Sequence, residues 1–218
     1  MQRAIVGLIV LATLTVPIQS VAQTPPPVPI MPPSLPAAHV VNLMTNEGSG
    51  AFGVQWRVAD IKMVEVPAPI NKDRYKTTYQ IEPRAMATDF DDSQWERIEG
   101  KDLGVRRSGG HNAFMWFRGL LITPALVGDF DLSKPAIAVL NVLVDDYAEV
   151  WINGQMPRRS GYPSPATIQG LNMPNRVVLG TEVKAADKFQ IAVFAINGPI
   201  SDPFGSIWFR QAMLEFYR

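Results

Sequence analysis

Three aromatic side chains and five planar or charged groups fall on the apolar stretches of this chain, and together they have the chemistry to hold a polyol. Trp116, Tyr147 and Trp151 offer flat apolar faces, while Arg118, Asp146, Glu149, Asn197 and Arg210 can bond hydroxyls. Stacking of rings on C–H surfaces, with planar hydrogen-bonding groups beside them, is what recognition of a sugar requires. Arg158, Tyr162 and Asp202, in long polar connections, add further candidates. Core packing is expected for Trp95 and Trp208. Trp151 is open to either role, because Glu149 and Tyr147 share its face of a strand. Arg118 and Arg210 lie in apolar segments, where an unpaired guanidinium is costly. An internal ion pair with Asp146 or Glu149 is therefore as good a reading as a ligand contact.

Other chemistries find less support. The chain has no cysteine and two histidines, which excludes disulfides, thiolate sites and a His-rich metal centre. His111 follows Gly109-Gly110 with Ser108 upstream, but no G-x-S-x-G elbow is present. The same glycines lack the GK[ST] ending and following helix of a phosphate cradle. Asp145 and Asp146 are adjacent, so on a strand they face opposite sides and form no acid/base pair. The acidic run Asp89-Phe90-Asp91-Asp92-Ser93-Gln94-Trp95 fits a tight turn shaped by its own side chains, delivering Trp95 inward. A structural calcium is the other reading of that run, although it lacks an EF-hand's glycine and distal glutamate. No other cofactor is implied.

The elements that must position these groups are strands. Residues 139–154 (VLNVLVDDYAEVWING) form two apolar runs broken at Asp145-Asp146 and closed by Asn153-Gly154, the pattern of a hairpin. In the second run Ala148, Val150 and Ile152 point to a core and Tyr147, Glu149 and Trp151 away from it. Strand character recurs at 52–58, 61–66, 77–81, 114–122, 176–179, 188–196 and 207–217, with no convincing amphipathic helix. The expectation is an all-β fold, at least seven strands in two antiparallel sheets.

Apolar residues make up 47% of the 218 and charged residues 18%, enough for a substantial core. Twenty Lys+Arg balance twenty Asp+Glu, so no overall field favours nucleic acid or an acidic membrane. Residues 1–22 have a basic start, an apolar run and small residues at Ser20 and Ala22, the pattern of a cleaved signal peptide. Residues 23–37, rich in proline, form a tether, and residues 38–218 a single domain. Export to the periplasm or outside the cell is expected, with no membrane association after cleavage.

Taken in order, Asp92-Ser93-Gln94-Trp95, Trp116-Phe117-Arg118, residues 148–154 (AEVWING) and residues 191–197 (IAVFAIN) resemble the galactose-binding-like jelly-roll domain at the front of family 2 glycoside hydrolases. The stretches DFDDSQWE, VDDYAEVWINGQ, NRVVL and AVFAINGPISDP are similar to the module preceding gluconolactonase-like β-propellers. The resemblance implies an antiparallel β-sandwich of jelly-roll type. Both families keep their catalytic residues in a following domain, and this chain ends at Arg218. No catalytic residue can be carried over, and a non-catalytic carbohydrate-binding or accessory module is expected. Its rivals are a subunit docking onto a separately encoded glycosidase or lactonase, and a small enzyme acting on a sugar or lactone. A ligand is expected where loops 155–175 and 197–206 come together, with Arg158, Tyr162 and Asp202 at the rim and Tyr147 or Trp151 as a wall.

Overall fold

The computed structural model describes residues 33–67, 77–108, 114–145, 147–156, 173–197 and 206–218. The expected signal peptide, most of the expected tether, Asp146, Arg158, Tyr162, Asp202, His111 and the side chain of Tyr147 lie outside the described residues. The strands, in chain order, are β1 (His39–Asn42), β2 (Trp56–Asp60), β3 (Lys62–Pro67), β4 (Thr77–Glu82), β5 (Glu96–Ile98) and β6 (Phe114–Ile122). There follow β7 (Leu126–Val127), β8 (Phe130–Asp131), β9 (Ala136–Asp145), β10 (Tyr147–Ile152), β11 (Asn175–Val183), β12 (Lys188–Ile196) and β13 (Trp208–Tyr217).

Two antiparallel sheets make an all-β sandwich: β1-β13-β9-β11 faces β10-β12-β6-β2-β5. β3 pairs with β4 and β7 with β8 in two small ribbons. Alternation explains the layering. Phe117, Val193, Val150 and Ala148 from the five-stranded sheet meet Leu140, Val142, Leu214 and Phe209 from the four-stranded one in a single buried cluster. Gly119 leaves the space that Trp56 fills, since a Cβ there would come within 2.8 Å of Val54 Cγ1 and 3.2 Å of Trp56 Cε3.

Strands expected at 114–122, 147–152 and 188–196 match β6, β10 and β12 residue for residue. Residues 52–58 differ. The first half of that run closes a short helix, α1 (Asn46–Ala51), whose N-cap Thr45 accepts the Gly48 N–H at 2.9 Å. The central hairpin also needs correction. β9 and β10 lie in different sheets, because β9 is already paired on both edges by β11 and β13. β9 ends at Asp145 in one sheet and β10 begins at Tyr147 in the other. The faces of β10 are nevertheless as expected, with Ala148, Val150 and Ile152 buried in the main core. Asn153 and Gly154, at φ 50° and 74°, form the reversal after β10 and close it through paired bonds between Ile152 and Gln155 at 2.7 and 3.0 Å.

The outer face of the five-stranded sheet is covered by residues 83–95. Trp116, Ala192 and Phe194 project from this face into a second cluster with Ala85, joined by Met86, Phe90, Trp95 and Trp151. The clasp is Arg118, only 1% exposed. Its Nε donates to Asp92 Oδ2 at 2.8 Å, and its terminal nitrogens donate to the carbonyls of Ala85, Ala87 (3.1 Å) and Phe90 (3.5 Å). Opposite it on β2 stands Arg57, whose Nε lies 3.3 Å from the other Asp92 oxygen. One carboxylate thus bridges two guanidiniums and offsets part of their repulsion across the strands. The acidic run makes the expected turn: the Ser93 N–H donates to Asp91 Oδ1 at 2.9 Å and the Trp95 N–H to Asp92 O at 3.0 Å. These backbone and side-chain bonds to Ser93 hold the Asp91 carboxyl below its usual range.

Arg118 is paired with Asp92 and not with Glu149, while Asp146, the other acid expected for it, lies outside the described residues. Removing one side of such a pair leaves buried polar groups unmet, so Arg118→Met should cost about 3–5 kcal/mol in urea unfolding. Asp92→Asn should also be strongly destabilising, since it leaves the buried Arg118 guanidinium without a counter-charge beside Arg57. An unfolding midpoint for Arg118→Met equal to wild type would contradict this clasp.

Candidate functional site

The cover decides which candidates can meet a ligand. Trp116 is fully buried, with its Nε1–H donated to Pro83 O at 2.8 Å, and Arg118 is spent on the cover. Both hold the layer that closes this face and are shielded from solvent by it. Glu149 and Trp151 remain half-buried beside it on the edge strand β10. The Trp151 indole donates to Glu149 Oε2 at 3.2 Å, and Glu149 forms no ion pair among the described residues. Asn197 acts as a clasp, its Nδ2 donating to Ser206 O across the base of the 197–206 connection.

Strand register locates the remaining candidates. Tyr147 and Phe114 both lie opposite Ile196, and Trp208 lies opposite Asp145. The starts of β6, β10 and β13 and the ends of β9 and β12 therefore share one end of the sandwich. Both ends of the 197–206 connection belong there. The 155–175 connection leaves from the opposite end, where Ile152 pairs with Ile191. It returns towards the shared end at Asn175, whose Nδ2 donates to Ala148 O at 3.3 Å. The two loops thus have anchors in common on one side only.

At this end stands Trp208, expected in the core but 39% exposed, while its neighbours Ile207 and Phe209 are buried. Two guanidiniums lie over its ring, Arg210 at 4.5 Å and Arg107 at 4.9 Å from the centroid. Arg210 is the extra residue of a register shift between Phe209 and Gln211, the kind of bulge that re-aims a side chain. It faces Asp145 at 3.9 Å. Arg107 is tied down by one bond to Ile207 O at 3.3 Å. Sequence reasoning found Arg210 but missed Trp208 and Arg107. Strict alternation around Trp208, between two residues that fill the core, was the available signal.

A second polar cluster is largely met by its own members, although the buried Asn141 Oδ1 has no partner among the described residues. On the four-stranded sheet, Arg176 binds Glu215 at 2.6 Å and the Pro33 carbonyl at 3.2 Å, and Asn141 donates to Glu215 at 2.8 Å. Burial pushes the Glu215 carboxyl up, but bonds from Tyr217, Asn141 and Arg176 outweigh it and leave it below its usual range. Among the described residues no three His, Cys, Asp or Glu side chains are grouped to hold a metal, and Asp92 is occupied by arginines. No helix among them is long and apolar enough to cross a membrane. A shallow depression of about 310 Å³, lined by residues including Glu182, Asp187 and Lys188, lies at the far end. It contains none of the candidate aromatics.

Glu149 has a pH signature. Burial raises its carboxyl above the usual range, against the opposing Trp151 bond. An acid raised in the folded state binds more protons there than in the unfolded chain. Stability therefore falls as pH rises from the unfolded value of about 4.3 through the folded one, and the loss is complete above it. Glu149→Gln should raise Tm at pH 7 and change it little at pH 3.5. Equal shifts at both pH values would contradict this.

No protein-family model and no curated protein matches the chain. Among solved structures it is similar to a glycosyl hydrolase family 2 (GH2) member from Bacteroides cellulosilyticus, at 14% identity and a TM-score of 0.43. The match covers 75% of this chain and 21% of that one, so the chain spans about a fifth of that protein's length.

Proposed function

We propose that this protein is an exported, non-catalytic carbohydrate-binding module whose ligand meets the loop end at Trp208. The observation that carries the reading is the exposed indole held between strand and loop by Arg107 and Arg210. An indole edge and face give apolar area to sugar C–H groups, and fixed guanidiniums give directed donors to hydroxyls. Loops at one end of a sandwich, carried by a rigid core, are where recognition is usually placed. The basic start, apolar run and small residues of positions 1–22 have the pattern of a signal peptide, which supports a role outside the cytoplasm.

Docking onto a separate carbohydrate-active enzyme is the second reading, supported by exposed Leu120, Ile122 and Leu126 at the opposite end. Three such side chains are fewer than a dedicated apolar interface usually presents. The test is calorimetry of the purified protein with a saccharide drawn from a glycan-array screen. Trp208→Ala should weaken binding about tenfold, the scale of one lost ring contact, while circular dichroism stays unchanged. An unchanged affinity would move the site, and an array with no binding would favour docking.

A further inference from the structure

We infer that β10 carries a binding site for a small molecule with a primary ammonium group, held by the Glu149 carboxylate beside the Trp151 indole. The inference is independent of the reading at Trp208 and starts from an acid which that reading leaves unused. Glu149 and Trp151 share the outer face of an edge strand, at the margin of the cover. Across the strands Glu149 stands opposite Phe194, which is 5% exposed and stacks on Phe114 at 6.1 Å between centroids. The floor beside this carboxylate is therefore aromatic. Asp92, Asp60 and Glu215 are likewise partly removed from water, and each faces an arginine. Glu149 faces no cation among the described residues. Its one bond comes from the Trp151 indole, Nε1 to Oε2 at 3.2 Å, so Oε1 has no donor among them. Arg57 and Arg118, further in on the same face, are both held by Asp92.

A carboxylate removed from water without a counter-charge is costly, and burial does raise this one above its usual range. A ligand that brings positive charge relieves that cost when it binds. Tryptophan also attracts cations to its ring, so carboxylate and indole select the same charge. Oε1 asks in addition for a donor. A primary ammonium gives it a charge-assisted N–H bond, which a quaternary ammonium cannot do. A neutral hydroxyl could bond the oxygen but would leave the charge uncompensated. The carboxylate is already oriented by the indole, so little freedom is lost on binding.

The experiment titrates n-butylamine and a glucosamine disaccharide into the isotope-labelled protein and follows the Trp151 indole N–H by nuclear magnetic resonance. Their neutral controls are n-butanol and the N-acetylated disaccharide, and tetramethylammonium is the control that cannot donate. An amine should bind about tenfold or more tightly than its neutral control, with an affinity that falls as salt is raised. Tetramethylammonium should bind less tightly than butylamine. Glu149→Gln should remove the preference for amine over control. That variant is expected to gain Tm, so its loss of binding is not a loss of fold. Glu182→Gln, an exposed acid of β11, should leave the preference intact. Tighter binding of the disaccharide than of butylamine assigns the ammonium to an amino sugar, and the reverse to an alkyl amine; either upholds the inference. Amines that bind no better than their controls overturn it, as does amine binding that survives in Glu149→Gln. The reading at Trp208 stands or falls separately, on Trp208→Ala.

Discussion

A guanidinium at the centre of a sheet face is tolerable only if the structure brings it enough acceptors, and much of this molecule is arranged to supply them. Arg118 stands on the middle strand of the five-stranded sheet, among Trp116, Phe194 and Ala192, and is almost completely removed from water. Its acceptors all come from one short stretch between Ala85 and Asp92. That stretch can present three carbonyls and a carboxylate inward because the Asp91–Ser93 turn reverses the chain above the sheet. Arg57 on the neighbouring strand uses the same carboxylate. The acidic run is thus the lid of a second, smaller core, with Trp95 packed on Phe90 at 5.3 Å between centroids as its apolar part.

The position of the cover has consequences for function. A bare sheet face lined with tryptophan and arginine would be an obvious platform for a sugar, and this face is closed. What remains open is the end of the sandwich. There the chain passes between sheets after β9, β12 turns towards β13, and a bulge re-aims Arg210 over Trp208. Fold and proposed recognition are linked in this way: the interaction that completes the core of one face moves the available aromatic chemistry to the rim.

Period-two alternation made the strands legible, because a strand buried on one face has to show it within a few residues. β6, β10 and β12 carry long runs and were placed to the residue. The Asp-Ser-x-Trp turn was also legible, since its hydrogen bonds are local. Alternation tells which way a side chain points but not which sheet its strand joins, and so β9 and β10 looked like a hairpin. Their separation is decided by β11 and β13, both far along the chain. Arg118 posed the same difficulty. The cost of burying it was plain, but its partner lies 26 positions upstream and nothing near Arg118 marks it. For Trp208 the local pattern held the answer. Apolar neighbours on both sides suggested burial, whereas alternation put the indole on the other face. Arg107 carried no local signal of its contact with Trp208, which arises only when β13 folds back beside it.

Solvent exchange of the five tryptophan indoles measures the closure of this sheet face without any ligand. Trp116 donates to Pro83 beneath the cover, and Trp208 stands at the open end. By nuclear magnetic resonance, the Trp116 indole N–H should exchange only through large-scale opening and that of Trp208 orders of magnitude faster. Arg118→Met should bring the Trp116 rate sharply towards that of Trp208. If the wild-type Trp116 indole exchanges as readily as Trp208, the cover is not held down and the sheet face is available to ligand after all.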